Sequence, residues 1–437
     1  MLITEPKQEY DVLIIGGGIA GMEASLTLGD MGFRVLLVEG SPSIGGKMAL
    51  LSKVFPTLDC ASCIVTPKMA AVQHHPNIDL LIYSDVVEIV RRVKGDFDVL
   101  VRRKPTYVDI SKCTACTWCE KVCPVVVSDK FNYGLRGRKA AYIAFDIAIP
   151  KKAVIDIDNC LLCGLCEKVC PADAINFLDE GKNFRIRVKA IILATGFRLF
   201  DPREKPEFRY GKFRNVITSI QMDRLLSPTS PLGGVARPLD FKEPEKIAFI
   251  LCAGSRDLKL DYPLCSQVCC MYSIKQAQLV LGALPLAEAT IFYIDIRAFG
   301  KGFEEFYKQS EMMGIRFVKG QVDLLEEESD GSINIRYFDY YDGEMKSEKF
   351  DLVVLAVGFR PENRIAKVFK NVELELDKYG WIKILDPNSA PNQTSIPGVF
   401  VAGTASGPKD IPDSIVDANS AAMSAAKYVM SLRGESP

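Results

Sequence analysis

The chain is poor in histidine, has no excess charge of either sign and lacks a long apolar run. Its two histidines, His74 and His75, are adjacent, which argues against a mechanism built on several histidines. Lys and Arg number 54 and Asp and Glu 55, so we expect neither nucleic acid nor an anionic membrane as the main partner. No uncharged run approaches the roughly 20 apolar residues that span a bilayer, and no charged-then-apolar leader opens the chain. We therefore expect a cytoplasmic protein without a transmembrane segment.

Cysteine, in contrast, is abundant. The 437 residues, enough for two or three domains, include 14 cysteines. In a secreted protein such a number would indicate disulfides. Because no leader is found and the cysteines are closely spaced, metal or redox chemistry is favoured.

A glycine-rich turn near the start joins a strand to a helix. An apolar strand runs into the pattern G-x-G-x-x-G, and a second strand ends in Glu39. In this pattern Gly16 permits the tight turn, Gly18 lets the backbone approach a pyrophosphate, and Gly21 allows the helix to pack closely on the strand. Glu39 is placed to accept a hydrogen bond from a ribose hydroxyl. The sequence therefore predicts a dinucleotide-binding βαβ unit.

Three later segments resemble those of two-dinucleotide-domain flavoproteins such as thioredoxin reductase. They read A-I-I-L-A-T-G, D-L-V-V-L-A-V-G and G-V-F-V-A-G, at residues 190–196, 351–358 and 398–403. The resemblance favours FAD as the bound dinucleotide. In that family the last segment continues with Asp, which contacts the flavin's ribityl chain, whereas Thr404 follows here. Besides the glycine turn and Glu39, the residues that the resemblance places at FAD are Ala20, Gly46, Lys47, Thr195, Gly196, Gly403, Thr404, Lys409 and Ile411.

Two cysteine runs form the most specific pattern in the chain. Each run reads C-x-x-C-x-x-C-x-x-x-C-P, which is the pattern of two-cluster bacterial ferredoxins, where the fourth cysteine of each run ligates the other cluster. Zinc is the alternative, but it favours four ligands in two pairs. We therefore assign one 4Fe–4S cluster to Cys113, Cys116, Cys119 and Cys170, and a second to Cys160, Cys163, Cys166 and Cys123.

The ferredoxin runs lie between segments that are predicted to be strands, which indicates a module inserted into one turn of a small β-meander. The predicted fold is α/β, with two Rossmann-like, thioredoxin reductase-like dinucleotide-binding domains and an inserted α+β bacterial-type ferredoxin domain. We expect the FAD-binding domain at residues 1–104, 184–240 and 356–437, the ferredoxin domain at 105–183, and the second Rossmann-like domain at 241–355.

The second βαβ unit lacks the expected glycine pattern and carries cysteines instead. Cys252 follows a strand, while Cys265 and Cys269 are four residues apart and are expected on one face of a helix, with Cys270 beside them. The strand end and the helix start converge in this fold. Our hypothesis is a third 4Fe–4S cluster on these four thiols. A disulfide or buried free thiols are the alternatives, although vicinal cysteines rarely satisfy disulfide geometry with each other.

Nearly the whole chain resembles the A subunit of heterodisulfide reductase and its bacterial relatives. The strings that carry the resemblance are D-C-A-S-C-I-V-T-P-K-M, both ferredoxin runs, C-A-G-S-R-D with C-S-Q-V-C-C-M-Y, D-I-R-A-F-G-K-G and G-P-K-D-I-P-D-S. The resemblance implies FAD, unusual cluster ligation by the second cysteine set, and electron bifurcation in some members. It also implies a complex with proteins like the B and C subunits of that enzyme and a hydrogenase- or dehydrogenase-linked module, with two copies of this chain.

The chain departs from the archaeal members of that family at both ends. Those members have a further cluster domain before the FAD unit, and many have a second ferredoxin module after it. This chain starts almost at the glycine turn and ends after a helix predicted at residues 418–432. We therefore expect a shorter version whose electron acceptors lie on other subunits.

Three residues are candidates for a catalytic role. Lys409 follows the last FAD segment and, through the resemblance, is a candidate cation near the flavin ring that would stabilise reduced flavin; a surface lysine is the alternative. Cys60 and Cys63 form a C-x-x-C, for which a redox dithiol, a cluster ligand for a partner or a structural pair are open interpretations.

The predicted function is an oxidoreductase: an electron-transfer subunit of a heterodisulfide reductase-like complex. A stand-alone NAD(P)H-dependent reductase is one alternative, against which the missing second glycine pattern speaks. A non-catalytic cluster scaffold is another, against which the intact FAD pattern speaks.

Overall fold

The computed structural model describes residues 5–434, and its first segment forms a parallel sheet with helices. The first two strands are apolar and almost wholly buried, as is typical of a parallel sheet covered on both faces. The elements of this segment are β1 (Glu9–Ile15), α1 (Ile19–Asp30), β2 (Val35–Val38), α2 (Ala61–His74), β3 (Ile78–Leu81), β4 (Ser84–Val93) and β5 (Asp96–Arg103).

A small module follows, with short elements. Each of its two helices contains the third cysteine of one ferredoxin run, Cys119 or Cys166. The strands pair as two hairpins, β6 with β7 and β8 with β9. The elements are α3 (Trp118–Val122), β6 (Val126–Ser128), β7 (Gly137–Lys139), β8 (Ala141–Ile143), β9 (Ala153–Ile155) and α4 (Leu165–Val169).

The remainder of the chain completes the first sheet and builds a second one. Its elements are β10 (Lys182–Leu193), β11 (Phe197–Leu199), β12 (Val216–Thr218), α5 (Ser219–Leu226), β13 (Lys246–Ala253), α6 (Cys269–Ala283), β14 (Glu288–Tyr293), α7 (Phe303–Met312), β15 (Arg316–Glu327), β16 (Ile333–Asp339), β17 (Glu344–Phe350), β18 (Leu352–Val357), β19 (Phe359–Pro361), β20 (Val399–Val401) and α8 (Ile411–Arg433). Among the described residues, no helix combines the length and the apolar character that crossing a membrane requires.

The first sheet has the order β3-β2-β1-β10-β5-β4, and β20 pairs with β10. The long strand β10 runs antiparallel to β5 in its first half and parallel to β1 in its second half. Arg103 and Lys182 are direct partners where β5 and β10 meet. The two ends of the ferredoxin module are therefore adjacent, and the module leaves the sheet of the host domain uninterrupted.

The second sheet has the order β12-β18-β13-β14-β15-β16-β17, parallel as far as β15 and antiparallel beyond it. Its strand β12 begins at Val216, although the sequence assigned residues up to 240 to the FAD-binding domain. That boundary was wrong because β12 and α5 pack on the second sheet through pairing with β18. A strand of three residues with no alternating pattern gave no sign of its partner.

A two-stranded sheet joins the two units, since β11 pairs with β19 in an antiparallel manner. At this sheet the rings of Phe197 and Phe359 stack, with centroids 3.6 Å apart. The carboxyl ends of β1, β10 and β20 lie side by side in the first sheet. This is the edge at which dinucleotides bind in such folds, and it locates the candidate site.

Candidate redox site

The glycine turn after β1 has the close approaches that its sequence predicted. Gly16 has a φ of +110°, and a Cβ at this position would collide with the carbonyl oxygen of Ala194; a Cβ on Gly21 would collide with the carbonyl oxygen of Gly16. At Gly18, by contrast, the nearest atom to an added Cβ would be the Cα of Gly46, 4.0 Å away. The turn is packed tightly behind Gly16 and Gly21 and leaves space in front of Gly18, as a pyrophosphate requires.

Two polar side chains at the same edge support the fit of a dinucleotide. The hydroxyl oxygen of Thr195, just after β10, is buried and has no hydrogen-bond partner among the described residues. The carboxylate of Glu39, at the end of β2, accepts hydrogen bonds from the backbone N–H of Gly17 and of Ser41, each at 2.7 Å. A buried, unpartnered hydroxyl is costly unless a ligand supplies its partner. The donor set therefore fits FAD at this edge.

Lys47 is the second residue of a short 3₁₀ helix, Gly46–Leu50. Its ammonium nitrogen is 4.7 Å from the centroid of the Phe197 ring. Burial lowers the pKa of Lys47, and the charges of Glu362 and Glu39 partly oppose this effect. Lys47 is thus a partly buried cation between the glycine turn and the short sheet that joins the two units.

Lys409 is held close to the last FAD segment. Its ammonium donates to the Gly403 carbonyl at 3.0 Å and to the Ser406 hydroxyl at 2.8 Å, and it lies 3.4 Å from Asp417 Oδ2. The same carboxylate oxygen accepts the N–H of Gly403 at 2.8 Å. The lysine is therefore not a solvated surface residue, and its charge is partly balanced by a carboxylate from α8.

Other residues that were predicted to bind FAD lie in or against the segment that holds Lys409. A Cβ added to Gly403 would lie 2.7 Å from the Cβ of Ala20, so the last segment packs on helix α1. The hydroxyl of Thr404 lies 4.0 Å from where a Cβ on Gly196 would be. Ile411 is the first residue of α8, and Ser414 of this helix lies 3.7 Å from where a Cβ on Gly403 would be, so the start of α8 packs on the last FAD segment.

Four of the ferredoxin cysteines lie together in the combination that their spacing predicted for the second cluster. A cavity is lined by Cys123 of the first run together with Cys160, Cys163 and Cys166 of the second. All eight ferredoxin cysteines are free thiols. A cavity that combines three cysteines of one run with the fourth of the other fits the ligand exchange of two-cluster ferredoxins.

The second set of four cysteines meets between β13 and α6. Cys252 lies within β13 near its end, and Cys269 and Cys270 begin α6. Each of Cys269 and Cys270 is close enough to Cys252 and Cys265 for their charges to affect its pKa. Cys269 and Cys270 are buried, each 5% exposed. The four thiols therefore form one group at the edge where a second dinucleotide would bind.

One detail of this group differs from the sequence prediction. Cys265 does not share a helix face with Cys269, because α6 begins only at Cys269. Gln267 has a φ of +63°, and its N–H donates to the Cys265 sulfur at 3.3 Å. A left-handed residue interrupts the helix at this point, and the loop brings Cys265 to the group instead.

Burial raises the pKa of Cys252, Cys269 and Cys270, in the case of Cys270 to about 12. As free thiols they would be protonated at neutral pH. A positively charged metal centre is what holds buried thiolates, and its binding releases their protons. Four converging thiols, two of them almost wholly buried, are a donor set that can hold a cluster once these protons are released.

The turn that replaces the second glycine pattern leaves little space for a pyrophosphate. Residues 254–268 separate β13 from α6, and a Cβ on Gly254 would collide with the ring of Phe200. The aromatic ring thus covers the backbone that would have to approach the phosphates. The structure agrees with the sequence in giving no glycine cradle at this position.

Cys60 and Cys63 form a disulfide at the start of α2. Cys60 is the N-cap, and its sulfur accepts a hydrogen bond from the N–H of Cys63 at 3.2 Å. Cys63 is exposed, whereas Cys60 is half-buried. Phe55 and Leu58, on the loop before the disulfide, pack against the apolar cluster that contains Cys269 and Cys270.

Sequence reasoning missed the charged residues that lie beside Lys409 and beside the second set of four cysteines. Asp417 was not singled out, although it binds Gly403 and Lys409. Arg256 and Asp295, which pair beside the four cysteines with 2.6 Å between Nη1 and Oδ1, were noticed only as letters of family strings. The signal for the latter pair was their presence in C-A-G-S-R-D and D-I-R-A-F-G-K-G; Asp417 gave no signal.

Three family models match separate parts of the chain. Residues 109–174 match a 4Fe-4S dicluster domain, residues 11–60 an FAD dependent oxidoreductase, and residues 286–423 a pyridine nucleotide-disulphide oxidoreductase. The first two confirm the predicted cofactors, FAD and 4Fe–4S clusters, and identify an oxidoreductase.

Solved structures confirm the fold. The thioredoxin reductase of Lactococcus lactis is 17% identical, with a TM-score of 0.55 over 97% of this chain and 99% of that chain. That of T. acidophilum is also 17% identical, with a TM-score of 0.55 over 98% of this chain and 100% of that chain. The core is therefore thioredoxin reductase-like, as predicted, with the dicluster domain added.

Curated relatives are much closer in sequence. A Methanopyrus kandleri protein, the second of two iron-sulfur A subunits of CoB–CoM heterodisulfide reductase, is 46% identical over 95% of this chain. The A subunit of the H(2):CoB-CoM heterodisulfide,ferredoxin reductase of Methanothermobacter thermautotrophicus is 43% identical over 95% of it. The chain spans 63% of the length of each. Over this shared length, the chain is similar to the A subunits of heterodisulfide reductase.

Proposed function

We propose that the chain is the FAD- and iron–sulfur-containing electron-transfer subunit of a heterodisulfide reductase-like complex. The observation that carries the proposal is that one chain combines a dinucleotide-binding glycine turn with twelve free thiols, eight in the ferredoxin module and four between β13 and α6. When bound, FAD exchanges two electrons and each cluster exchanges one. Electrons then enter and leave through metal centres and not through a nicotinamide.

Under this proposal the chain's own residues bind, orient and shield the cofactors. Gly16, Gly18 and Gly21 would shape the turn at the pyrophosphate, and the start of α8, which packs on Gly403, would line the FAD edge. Lys409 supplies a cation held by Asp417, which favours the anionic reduced flavin. Cys252, Cys265, Cys269 and Cys270 hold a third 4Fe–4S cluster.

The test compares electron donors under anoxic conditions. We expect NADH and NADPH to leave the flavin absorbance unchanged, and a reduced ferredoxin to bleach it. A Phe200→Ala variant, which clears the space over Gly254, serves as a control for steric exclusion alone. Rapid bleaching of the wild-type flavin by a nicotinamide would support a stand-alone NAD(P)H-dependent reductase instead.

The proposal includes partner proteins and a reducing compartment. We infer partners of the kind implied by the relatives' complexes, resembling the B and C subunits of heterodisulfide reductase, with a hydrogenase- or dehydrogenase-linked module and two copies of this chain. Free thiols in such number favour the cytoplasm. Co-purification from the native source identifies the partners, and recovery of the chain alone as a monomer would contradict this part.

We extend the proposal to electron bifurcation at the flavin, since the chain carries two separate cysteine groups besides its FAD edge. In the assembled complex, reduction of a low-potential acceptor is expected only when a high-potential acceptor is also present. If the low-potential acceptor is reduced equally well without the high-potential acceptor, bifurcation is contradicted and simple electron transfer is left intact.

We also propose that the Cys60–Cys63 disulfide is redox-active. An N-cap position stabilises a thiolate, and exposure of Cys63 makes the bond accessible. Reduction would consume two electrons and two protons to give two thiols, with the electrons supplied by the chain's flavin. Alkylation of both thiols should increase after the flavin is reduced enzymatically, and Cys60→Ser should retain full iron and flavin. A loss of iron in that variant would indicate a ligand role instead.

A further inference from the structure

Two stacked aromatic rings lie at the two-stranded sheet that joins the FAD unit to the unit with the second set of four cysteines. Phe197 begins β11 directly after Gly196 of the predicted FAD segment, and Phe359 begins β19. The ring centroids are 3.6 Å apart, with an angle of 21° between the ring planes. The two rings, one from each strand of the joining sheet, are therefore in direct contact.

Phe359 is bound directly to the loop that carries Cys265. Its backbone N–H donates to the hydroxyl oxygen of Ser266 at 2.8 Å, and Ser266 follows Cys265 in the chain. The residue before it, Gly358, lies close against the same loop, since a Cβ at this position would collide with the hydroxyl oxygen of Ser255. One hydrogen bond and a short run of covalent bonds thus connect the Phe359 ring with the Cys265 sulfur.

Apolar side chains surround this connection. Phe359 is 7% exposed and forms a buried cluster with Val268 and Trp381, against which Phe197 and Leu264 pack. Leu264 and Val268 each precede one of the four cysteines in the chain. Closely packed apolar atoms therefore fill the space between the two rings and the cysteine loop.

We propose that the stacked rings of Phe197 and Phe359 form the electron-transfer bridge between FAD and the cluster held by the second set of four cysteines. The inference rests on the proposed third cluster. In this step the anionic reduced flavin loses one electron without losing a proton, and the oxidised cluster gains that electron. No bond to either phenylalanine forms or breaks. Because electron tunnelling weakens steeply with distance and is faster through bonded and closely packed atoms than across gaps, this path couples the two centres.

Two pairs of variants separate the bridge from ordinary packing. Phe359→Leu removes one ring of the stack, whereas Phe292→Leu removes a ring that is 2% exposed and belongs to a different apolar cluster of the same unit. Ser266→Ala removes the acceptor of the Phe359 N–H, whereas Ser255→Ala removes only the contact between the two serine hydroxyls, whose oxygens are 2.7 Å apart. Each pair makes the same chemical change, but only its first member interrupts the path.

The experiment is flash photoreduction of the anoxic whole protein by a deazaflavin, followed by flavin absorbance and by freeze-quenched EPR. The kinetic phase of the four-cysteine cluster is identified by its absence from a Cys265→Ser, Cys270→Ser double variant. We expect Phe359→Leu and Ser266→Ala to slow this phase several-fold, with the midpoint potentials of flavin and cluster unchanged. The two control variants should transfer electrons at nearly the wild-type rate.

The outcome is decided by comparing each variant with its own control. Where Phe359→Leu fails to retain its cofactors, the comparison of Ser266→Ala with Ser255→Ala decides. Equal transfer rates in a variant and its control overturn the inference. A slower rate that is accompanied by a shifted midpoint potential also overturns it, because a changed driving force then explains the slowing.

Iron content separates this failure from failure of the proposed function. About twelve irons per wild-type chain together with unchanged transfer rates in the variants would overturn the role of the two rings alone. About eight irons in the wild type would overturn both the third cluster and the inference that rests on it.

Discussion

At the scale of single residues, the charge on Lys409 is the clearest functional prediction. Lys409→Met removes a cation from the FAD edge. Because this cation favours the anionic reduced flavin, its loss should lower the flavin midpoint potential by roughly 30 mV, which corresponds to about 1.4 kcal/mol for a two-electron couple. The control is Asp417→Asn, which removes the balancing carboxylate and should move the potential the other way. Potentials are measured by anoxic spectrophotometric titration, and shifts of the same sign in both variants would contradict the role.

Residue types and spacing led to most of the candidate site residues, whose roles stay predictions. The glycine turn and the ferredoxin runs were predictable because each position is required by local geometry or by the cluster. The partners Asp417 and Asp295 were not, since they come from distant segments and no local pattern links Asp417 to Lys409. The place of Cys265 in a loop was also unpredictable, because it depends on the left-handed Gln267.

At the scale of elements, the short helix α5 joins three parts of the molecule. Asp223 accepts hydrogen bonds from Ser52 of the FAD unit and from Lys275 of α6, at 2.6 Å each. Arg224 donates to Asn132 of the ferredoxin module at 2.9 Å. These side chains are almost wholly buried. The sequence assigned α5 to the wrong unit because eight residues carry little pattern, and only tertiary pairing defines its place.

Breaking the buried pair on α5 should destabilise the protein. Lys275→Met leaves Asp223 buried without its cation, at an expected cost of about 3–5 kcal/mol in the free energy of unfolding. Lys346→Met, which removes a more exposed pair with Asp339, should cost much less. Denaturation of both variants measures how much free energy of unfolding each one loses. Similar losses would show that burial of an ion pair does not determine its contribution to stability.

The contact of α5 with the ferredoxin module predicts a change in electron transfer. Arg224→Met should loosen the module, increase proteolysis near residues 104–182 and slow electron exchange between module and flavin, with the cluster potentials unchanged. Arg136→Met removes the more exposed arginine bound to Asp129 and should have a smaller effect. A slowed transfer accompanied by shifted potentials would indicate damage to the clusters and not loss of positioning.

At the scale of the whole molecule, the structure is a thioredoxin reductase-like core in which four cysteines lie between β13 and α6 of the second unit. The fold class was predictable because strand-end motifs recur in each unit. The boundary of the second unit was not, since β12 pairs with β18 across more than a hundred residues. The central claim is that metal centres replace the nicotinamide.

The most direct test is iron and acid-labile sulfide per chain in anoxically purified protein. We predict about twelve irons and one FAD, falling to about eight irons in a Cys265→Ser, Cys270→Ser double variant that keeps its FAD. A wild-type chain with about eight irons, unchanged in the double variant, would contradict the account.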